Sequence, residues 1–179
     1  EVTSHQKHDD NPLAADLEFI LESAEEDIRQ LDGLRLFLTG GTGSIGTWLL
    51  EALAWSTNRR GVGPTMEVLT RDPVAVSARS PHLTGATCVD LLQGDVCEPI
   101  ATTGRADAIF HAATPASREF NEQSPRLMVD TIVEGMRNVL SVAAGAGQPR
   151  LLFTSSGAVY GCQSPEVTHL VEDSRTAPD

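Results

Sequence analysis

The chain is short of lysine and tyrosine: Lys7 is its only lysine and Tyr160 its only tyrosine among 179 residues. It is also poor in cysteine, with three thiols that lie far apart along the sequence at Cys88, Cys97 and Cys162. An odd number of scattered cysteines argues against a disulfide framework and against a cysteine-rich metal site. We therefore expect incidental or buried thiols and no bound metal.

Long apolar runs are missing as well. No segment approaches the roughly 18 apolar residues of a membrane helix, and residues 1–10 are polar and acidic, unlike the basic and then apolar start of a secretory leader. These absences predict a cytoplasmic protein with no membrane partner. The 179 residues, of which 40% are hydrophobic, suffice for one domain with its own core.

Positive charge is scarce and unevenly distributed. The formal net charge is −12, and residues 1–32 hold ten acidic residues against Lys7 and Arg29. The remainder has eleven arginines against fifteen acidic residues and no basic stripe. We therefore expect no nucleic-acid partner.

The acidic N-terminal segment predicts an amphipathic helix. Asn11-Pro12 has the pattern of a helix start, and Asp32-Gly33 has that of a helix end. Between them, apolar residues recur at helical spacing: Leu13, Leu17, Ile20, Leu21, Ala24, Ile28 and Leu31. We expect this helix to pack beside the core or across a dimer, with an acidic face that is solvated or contacts a partner. Residues 1–32 are thus an acidic tail and helix, and residues 33–179 form the main domain.

From residue 33 onward, predicted strands alternate with predicted helices. The strands are expected at 34–39, 66–70, 87–93, 108–111 and 151–154. The helices are expected at about 44–56, 73–79 and 125–144. Such alternation implies right-handed crossovers and a parallel sheet covered on both faces. The predicted fold class is α/β: a Rossmann-type, doubly wound parallel sheet of about five strands with an added N-terminal helix.

A glycine-rich turn, Thr39 to Gly46, joins the first strand to the helix that follows. Its spacing suits a dinucleotide, because Gly40, Gly43 and Gly46 would allow a tight turn, close approach to a pyrophosphate and packing of the helix on the strand. The phosphates would lie on the first N–H groups of the helix, near Ser44 and Ile45. The alternative is an ordinary glycine turn between a strand and a helix.

Ligands of parallel sheets bind beyond the carboxyl ends of the strands, so the residues there are candidates for the site. After the second strand, Thr70 occupies the place where an NAD site usually has an acid, and Arg71 offers a planar cation suited to a 2′-phosphate. We therefore favour NADP(H) over NAD(H), although Asp72 could still bind a ribose. An exposed loop arginine is the alternative.

Two further strand ends carry candidate cofactor contacts. After the third strand, Asp95 would accept a hydrogen bond from adenine, and the N–H of Val96 would donate one. After the fourth strand come small residues that would let the backbone approach the cofactor: Ala112, Ala113 and Thr114. His111, just before them, is expected to be a packed or backbone-bonded histidine with no catalytic role.

The fifth strand runs into Ser155-Ser156-Gly157, where a hydroxyl could hold a substrate oxygen. Thr39 to Gly46, Gly94-Asp95-Val96, His111-Ala112-Ala113 and Thr154 to Gly161, in this order, resemble the extended short-chain dehydrogenase/reductase family. The resemblance covers residues 34–179 and points more narrowly to the NAD-dependent epimerase/dehydratase group, which acts on nucleotide sugars. It implies hydride transfer to and from nicotinamide, with Ser156 as the catalytic residue that binds the reacting sugar oxygen.

The sequence departs from that family at the general base. The resemblance calls for a Tyr-x-x-x-Lys pair, but Tyr160 is followed four places later by Ser164, and no lysine follows Lys7. Tyr160 matches the family's structural tyrosine instead. We expect that the chain is the N-terminal part of a longer protein, because residues 171–179 resemble the approach to the base-bearing helix. The alternative is a degenerate relative that only binds the cofactor.

Departures elsewhere narrow the chemistry. Gly157 and Ala158 stand where related dehydratases carry an acidic pair and related decarboxylases keep a glutamate, and Ile132 replaces a common asparagine. The resemblance therefore favours an NAD(P)-dependent nucleotide-sugar epimerase or carbonyl reductase. A catalytically inactive NAD(P)-binding or scaffolding module is the alternative. By analogy with the fold, a homodimer through the long helices is the expected assembly.

Overall fold

The computed structural model describes residues 11–102, 104–114 and 118–174, so the predicted acidic tail over 1–10 and the last residues, 175–179, lie outside the description. The strands are β1 (Arg35–Thr39), β2 (Thr65–Thr70), β3 (Val89–Gln93), β4 (Ala108–His111) and β5 (Arg150–Phe153). The helices are α1 (Ala14–Ser23), α2 (Glu25–Gln30), α3 (Ser44–Arg60), α4 (Pro73–Arg79), α5 (Pro81–Thr84), α6 (Arg118–Gln123) and α7 (Pro125–Gly145). A short 3-10 turn spans Gly157–Tyr160.

The five strands are parallel and lie in the order β3-β2-β1-β4-β5. From β1 the chain adds β2 and β3 on one side of the sheet, and it then crosses over to add β4 and β5 on the other side. The order of strands therefore reverses beside β1, whose last residue, Thr39, pairs with Leu69 of β2 and with His111 of β4. Ligands of open parallel sheets bind at such a reversal. The predicted Rossmann-type sheet is confirmed, and its reversal point lies at the glycine turn.

Each face of the sheet carries its own hydrophobic core. Successive side chains of a strand point to opposite faces, so Leu36 and Leu38 of β1 enter a core shared with α3, and Phe37 enters a second core beneath α7. The second core also contains Ile109 and Val139. Because β1 is buried on both faces, the position of its carboxyl end is fixed by packing.

The predicted N-terminal helix consists of two helices, α1 and α2, which are separated at Ala24. Leu17 and Leu21 of α1 are fully buried in the core that contains α3. The indole N–H of Trp55 donates a hydrogen bond to Glu18 at 2.8 Å, and this bond lowers the pKa of the Glu18 carboxyl. The helices therefore pack beside the core, which is one of the two placements that we expected.

Most remaining boundaries lie close to the predicted ones. The helix α3 continues beyond the expected end to Arg60, and Gly61 ends it in a left-handed conformation with φ of 66°. The short helices α5 and α6 and the 3-10 turn have no counterpart among the predicted elements. Within the described residues, no helix combines the length and the apolar character required to cross a bilayer.

Candidate functional site

The glycine turn after β1 lies directly against the backbone that leaves β4. Gly40 has φ of +72°, and a Cβ built on it would overlap the carbonyl group of Ala112 and lie 2.7 Å from the nitrogen of Ala113. A Cβ on Gly46 would overlap the carbonyl oxygen of Gly40. Both clashes are with backbone, which has little freedom to move. Glycine at these two positions therefore brings the turn, the start of α3 and the exit of β4 together.

The first turn of α3 opens toward this junction. Gly43 precedes the helix in an extended conformation and supplies no side-chain cap, and its N–H donates to the carbonyl of Gly40 at 3.0 Å. Ser44 and Ile45 follow it and are exposed. The amino end of a helix carries unpaired N–H donors and a partial positive charge. Because Gly40 and Gly46 have no side chain, the glycine turn lies close to this helix start, whose N–H groups are of the kind that bind the phosphates of a dinucleotide.

Two charged residues follow β2: Arg71 and Asp72, whose carboxylate is hydrogen-bonded within the protein. Arg71 is exposed, and the ion pairs among the described residues do not include it. Asp72 accepts a hydrogen bond from the N–H of Ala75 at 2.9 Å and caps α4. One carboxylate oxygen of Asp72 therefore stabilises a helix start, whereas Arg71 has no ion-pair partner among the described residues.

At the exit of β3, Asp95 forms a tight turn with the residues after it. Its Oδ1 accepts from the N–H of Cys97 at 2.9 Å, and its carbonyl accepts from the N–H of Glu98 at 3.0 Å. Val96 between them is buried, and its carbonyl accepts from Nδ2 of Asn138 at 2.9 Å. Sequence reasoning missed Asn138, because nothing in a helical pattern shows that one polar residue of the inward stripe reaches a loop 42 positions earlier.

At the exit of β4, His111 is fully buried. A hydrogen bond of 2.6 Å joins its Nδ1 to Oγ1 of Thr39, and its ring stacks on Phe153 with centroids 5.5 Å apart. Burial lowers the pKa of His111, because the interior does not solvate the imidazolium. The expectation of a packed histidine is confirmed: its side chain is hydrogen-bonded to Thr39 of β1 and stacked on Phe153 of β5.

The segment after His111 completes the junction. The N–H of Ala112 donates to the carbonyl of Thr39 at 3.0 Å, and the N–H of Thr114 donates to the carbonyl of Ala112 at 2.9 Å. Ala112, Ala113 and Thr114 are all partly exposed. Their small side chains lie beside Gly40, and their contact with a cofactor stays a prediction.

The candidate serine lies beyond β5 at the same end of the sheet. The N–H and Oγ1 of Thr154 both donate to the carbonyl of His111, at 3.1 and 3.3 Å. Ser156 is exposed, and its Oγ accepts from the N–H of Ala158 at 3.2 Å, which caps the 3-10 turn that ends at Tyr160. Ser156 thus lies at the carboxyl end of the sheet, as the glycine turn does, and its side chain is held by one exposed hydrogen bond.

Comparison with known proteins agrees with this geometry. A model of the NAD dependent epimerase/dehydratase family matches residues 36–179. UDP-glucuronic acid decarboxylase 1 of Arabidopsis thaliana is 33% identical over 130 residues, which make up 72% of this chain and 27% of that protein. UDP-glucose 4-epimerase 2 of Oryza sativa subsp. japonica is 30% identical over 152 residues, or 82% of this chain and 37% of that protein. The chain thus spans about a third of the length of these relatives.

One solved structure with a similar fold contains NAD. The dTDP-glucose 4,6-dehydratase DesIV from Streptomyces venezuelae, crystallised with NAD bound, superposes with a TM-score of 0.67 and 25% identity. The match covers 81% of this chain and 46% of that chain.

Proposed function

Because the chain belongs to the NAD-dependent epimerase/dehydratase family, we propose that its glycine turn binds NAD(P) and that the protein acts on a nucleotide sugar. The observation that carries this proposal is the close approach of Gly40 to the Ala112–Ala113 backbone, which no side chain would allow and which places the glycine turn beside the first turn of α3 and the exit of β4. Ser44 and Ile45 would offer their N–H groups to the pyrophosphate, and Asp95 and Val96 would receive the adenine.

The reaction that we propose is an oxidation and reduction at a sugar carbon, as in epimerases and carbonyl reductases. When bound, the nicotinamide supplies hydride transfer. Ser156 would donate a hydrogen bond to the sugar oxygen and orient the carbon that reacts. Gly157 and Ala158 carry no carboxyl group that could assist the loss of carbon dioxide, and for this reason we place decarboxylation, the reaction named for several relatives, second.

For the cofactor itself, we propose NADP(H) in preference to NAD(H). Arg71 is exposed at the exit of β2, next to the place where the adenosine ribose would lie, and Asp72 is engaged as a helix cap. A guanidinium binds a phosphate through two parallel hydrogen bonds, and a ribose hydroxyl offers it much less. The preference therefore rests on Arg71.

The alternative function is a module that binds the cofactor without turning over a substrate. It is favoured by the composition, since Lys7 is the only lysine and Ser164 stands four places after Tyr160. A tyrosine acts as a general base in this chemistry when a neighbouring cation lowers its pKa. The 179 residues therefore hold no Tyr-x-x-x-Lys pair, and we expect the chain by itself to show no epimerase turnover.

We further propose that the protein forms a homodimer. The outward side of α7 carries a second apolar stripe of exposed residues: Val129, Ile132, Val133 and Leu140. A helix with two apolar faces needs a neighbour on each.

For the compartment, we propose the cytoplasm. Cys88 is buried, Cys97 is partly exposed, and both are free thiols, which fits a reducing compartment.

The binding proposal is tested with a matched pair of glycine substitutions. Gly40 and Gly33 have nearly equal φ values of +72° and +70°, but only a Cβ on Gly40 would clash, while a Cβ on Gly33 meets nothing within 4 Å. Both alanine variants incur the same backbone strain. We expect Gly40→Ala to weaken binding of NAD+ and NADP+ by about tenfold or more, measured by isothermal titration calorimetry, and Gly33→Ala to leave both unchanged. Equal affinities in the two variants would rule out the glycine turn as the binding site.

The choice between enzyme and module is tested by turnover. The native protein, as purified from its own source, is assayed with UDP-glucose and with UDP-glucuronic acid in the presence of NAD+ or NADP+. Interconversion of UDP-glucose and UDP-galactose would support the epimerase, and release of carbon dioxide would reverse our order of reactions. Binding of the cofactor with neither product would rule out both of these reactions and favour the module.

A further inference from the structure

One peptide group next to the candidate adenine contact is held at both of its ends. The carbonyl of Val96 accepts from Nδ2 of Asn138 at 2.9 Å, and the N–H of the same peptide group, contributed by Cys97, donates to Oδ1 of Asp95 at 2.9 Å. With its oxygen and its hydrogen both bound, this peptide group has no freedom to rotate. Its orientation in turn fixes the carboxylate of Asp95.

The helix α7 is close enough to hold this turn because of a glycine one helical turn before Asn138. A Cβ on Gly135 would lie 3.3 Å from both methyl groups of Val96, which is tighter than most such contacts. Gly135 and Asn138 are three residues apart and therefore share a face of the helix. Gly135 lets the helix backbone approach Val96, and Asn138 then reaches its carbonyl.

We propose that Asn138 is a positioning residue that determines the selectivity for the adenine base. Oδ1 of Asp95 accepts from the N–H of Cys97, and we assign the other carboxylate oxygen, Oδ2, to the ligand. Adenine presents an amino donor to that oxygen, and hypoxanthine presents a carbonyl, which the carboxylate repels. Without Asn138, the peptide group can rotate, Oδ1 loses its fixed donor, and the carboxylate no longer faces the base in one orientation. The inference rests on the proposed function only in that Asp95 must face adenine.

The test compares two dinucleotides that differ only at the base. Binding of NAD+ and of nicotinamide hypoxanthine dinucleotide to the full chain is measured by isothermal titration calorimetry, and the ratio of the two dissociation constants is the readout. We expect a preference for NAD+ of about tenfold in the unmodified protein, since a hydrogen bond to a charged acceptor is lost with hypoxanthine. Asn138→Leu should reduce this preference to less than about threefold, chiefly by weakening NAD+.

The control variant is Ser141→Ala on the same helix, where the hydroxyl donates to the carbonyl of Arg137 at 3.0 Å and does not reach the turn. It should retain the full preference. Asn138→Ala provides a second variant if Asn138→Leu does not fold, as judged by circular dichroism. Equal affinity of the unmodified protein for both dinucleotides would overturn the adenine assignment and this inference with it. If Asp95→Asn abolishes the preference but both Asn138 variants keep it, the proposed site stands and the role of Asn138 is refuted.

Discussion

The two sides of the sheet differ in how firmly they hold their part of the candidate site. On the glycine side, which comprises β1, β2 and the glycine turn, Leu38 and Val68 are fully buried. On the serine side, which comprises β5 and residues 154–174, every strand residue is exposed, and Leu152 and Phe153 keep 62% and 39% of their surface accessible. Strands of parallel sheets are usually covered on both faces. Among the residues that the structure describes, the serine side thus lacks the packing that fixes the glycine side.

This difference separates binding from reaction. The residues proposed to bind the cofactor are positioned by backbone contacts in a buried framework, as Gly40 is by Ala112. Ser156, proposed for the reaction, is positioned by one exposed hydrogen bond from the N–H of Ala158. We infer that the geometry for cofactor binding is preorganised within the described residues, while the serine depends on weaker local contacts.

The largest expected difference between the sides is in stability. Leu38→Ala removes a fully buried side chain and should lower the free energy of unfolding by roughly 2–5 kcal/mol. Leu152→Ala changes an exposed side chain on β5 and should change it by less than about 0.5 kcal/mol. Urea denaturation followed by circular dichroism measures both. Similar losses for the two variants would show that the serine side is packed in solution, and the comparison would then fail.

A second expected difference concerns catalysis. Ser156→Ala should lower turnover of a nucleotide sugar by the native protein by about 10²-fold, which is typical for loss of one hydrogen-bond donor to the reacting oxygen. The affinity for the cofactor should stay within about twofold, because Ser156 takes no part in the glycine side. Steady-state kinetics and calorimetry give the two values. A loss of cofactor affinity equal to the loss of turnover would merge the two sides into one functional unit.

A smaller effect is expected within the glycine side. Arg71→Ala should weaken binding of NADPH by about fivefold to tenfold, through loss of a charge-assisted contact, and leave NADH nearly unchanged. Arg79→Ala, an exposed arginine at the end of α4, serves as the control and should change neither. Fluorescence titration with the two reduced cofactors measures the difference. Equal effects on NADPH and NADH would remove the basis for preferring NADP(H).

The smallest expected effect is on the pH dependence of stability, through His111, which is hydrogen-bonded to Thr39 on the glycine side and stacked on Phe153 on the serine side. Burial holds the pKa of His111 below its value in the unfolded chain, so the unfolded state takes up the extra proton first as the pH falls. The contribution of His111 to stability is therefore complete above about pH 6.5 and declines below it. His111→Gln should remove this part of the pH dependence in urea denaturation. A variant with an unaltered pH profile would show that His111 is accessible to protons in the folded protein.

The sequence predicted the order of strands and helices because hydrophobic periodicity and glycine turns are local signals. The helix expected at about residues 73–79 is an example, and the structure has it at Pro73–Arg79. The break at Ala24 has no local signal, since neither glycine nor proline stands there, and it depends on how Leu17 and Ile28 pack on the core. The contact between Asn138 and Val96 also depends on tertiary packing, which sequence spacing does not encode.

The positions of the two tryptophans have a practical consequence for spectroscopy. Trp55 is buried with its indole N–H bonded to Glu18, so its emission should report whether α1 remains docked. Trp48 is 43% exposed on α3, one turn after Ser44, so its emission should respond to a ligand at the glycine turn. The protein therefore carries two intrinsic optical probes, and with Trp55→Phe or Trp48→Phe each can be observed separately without an attached dye.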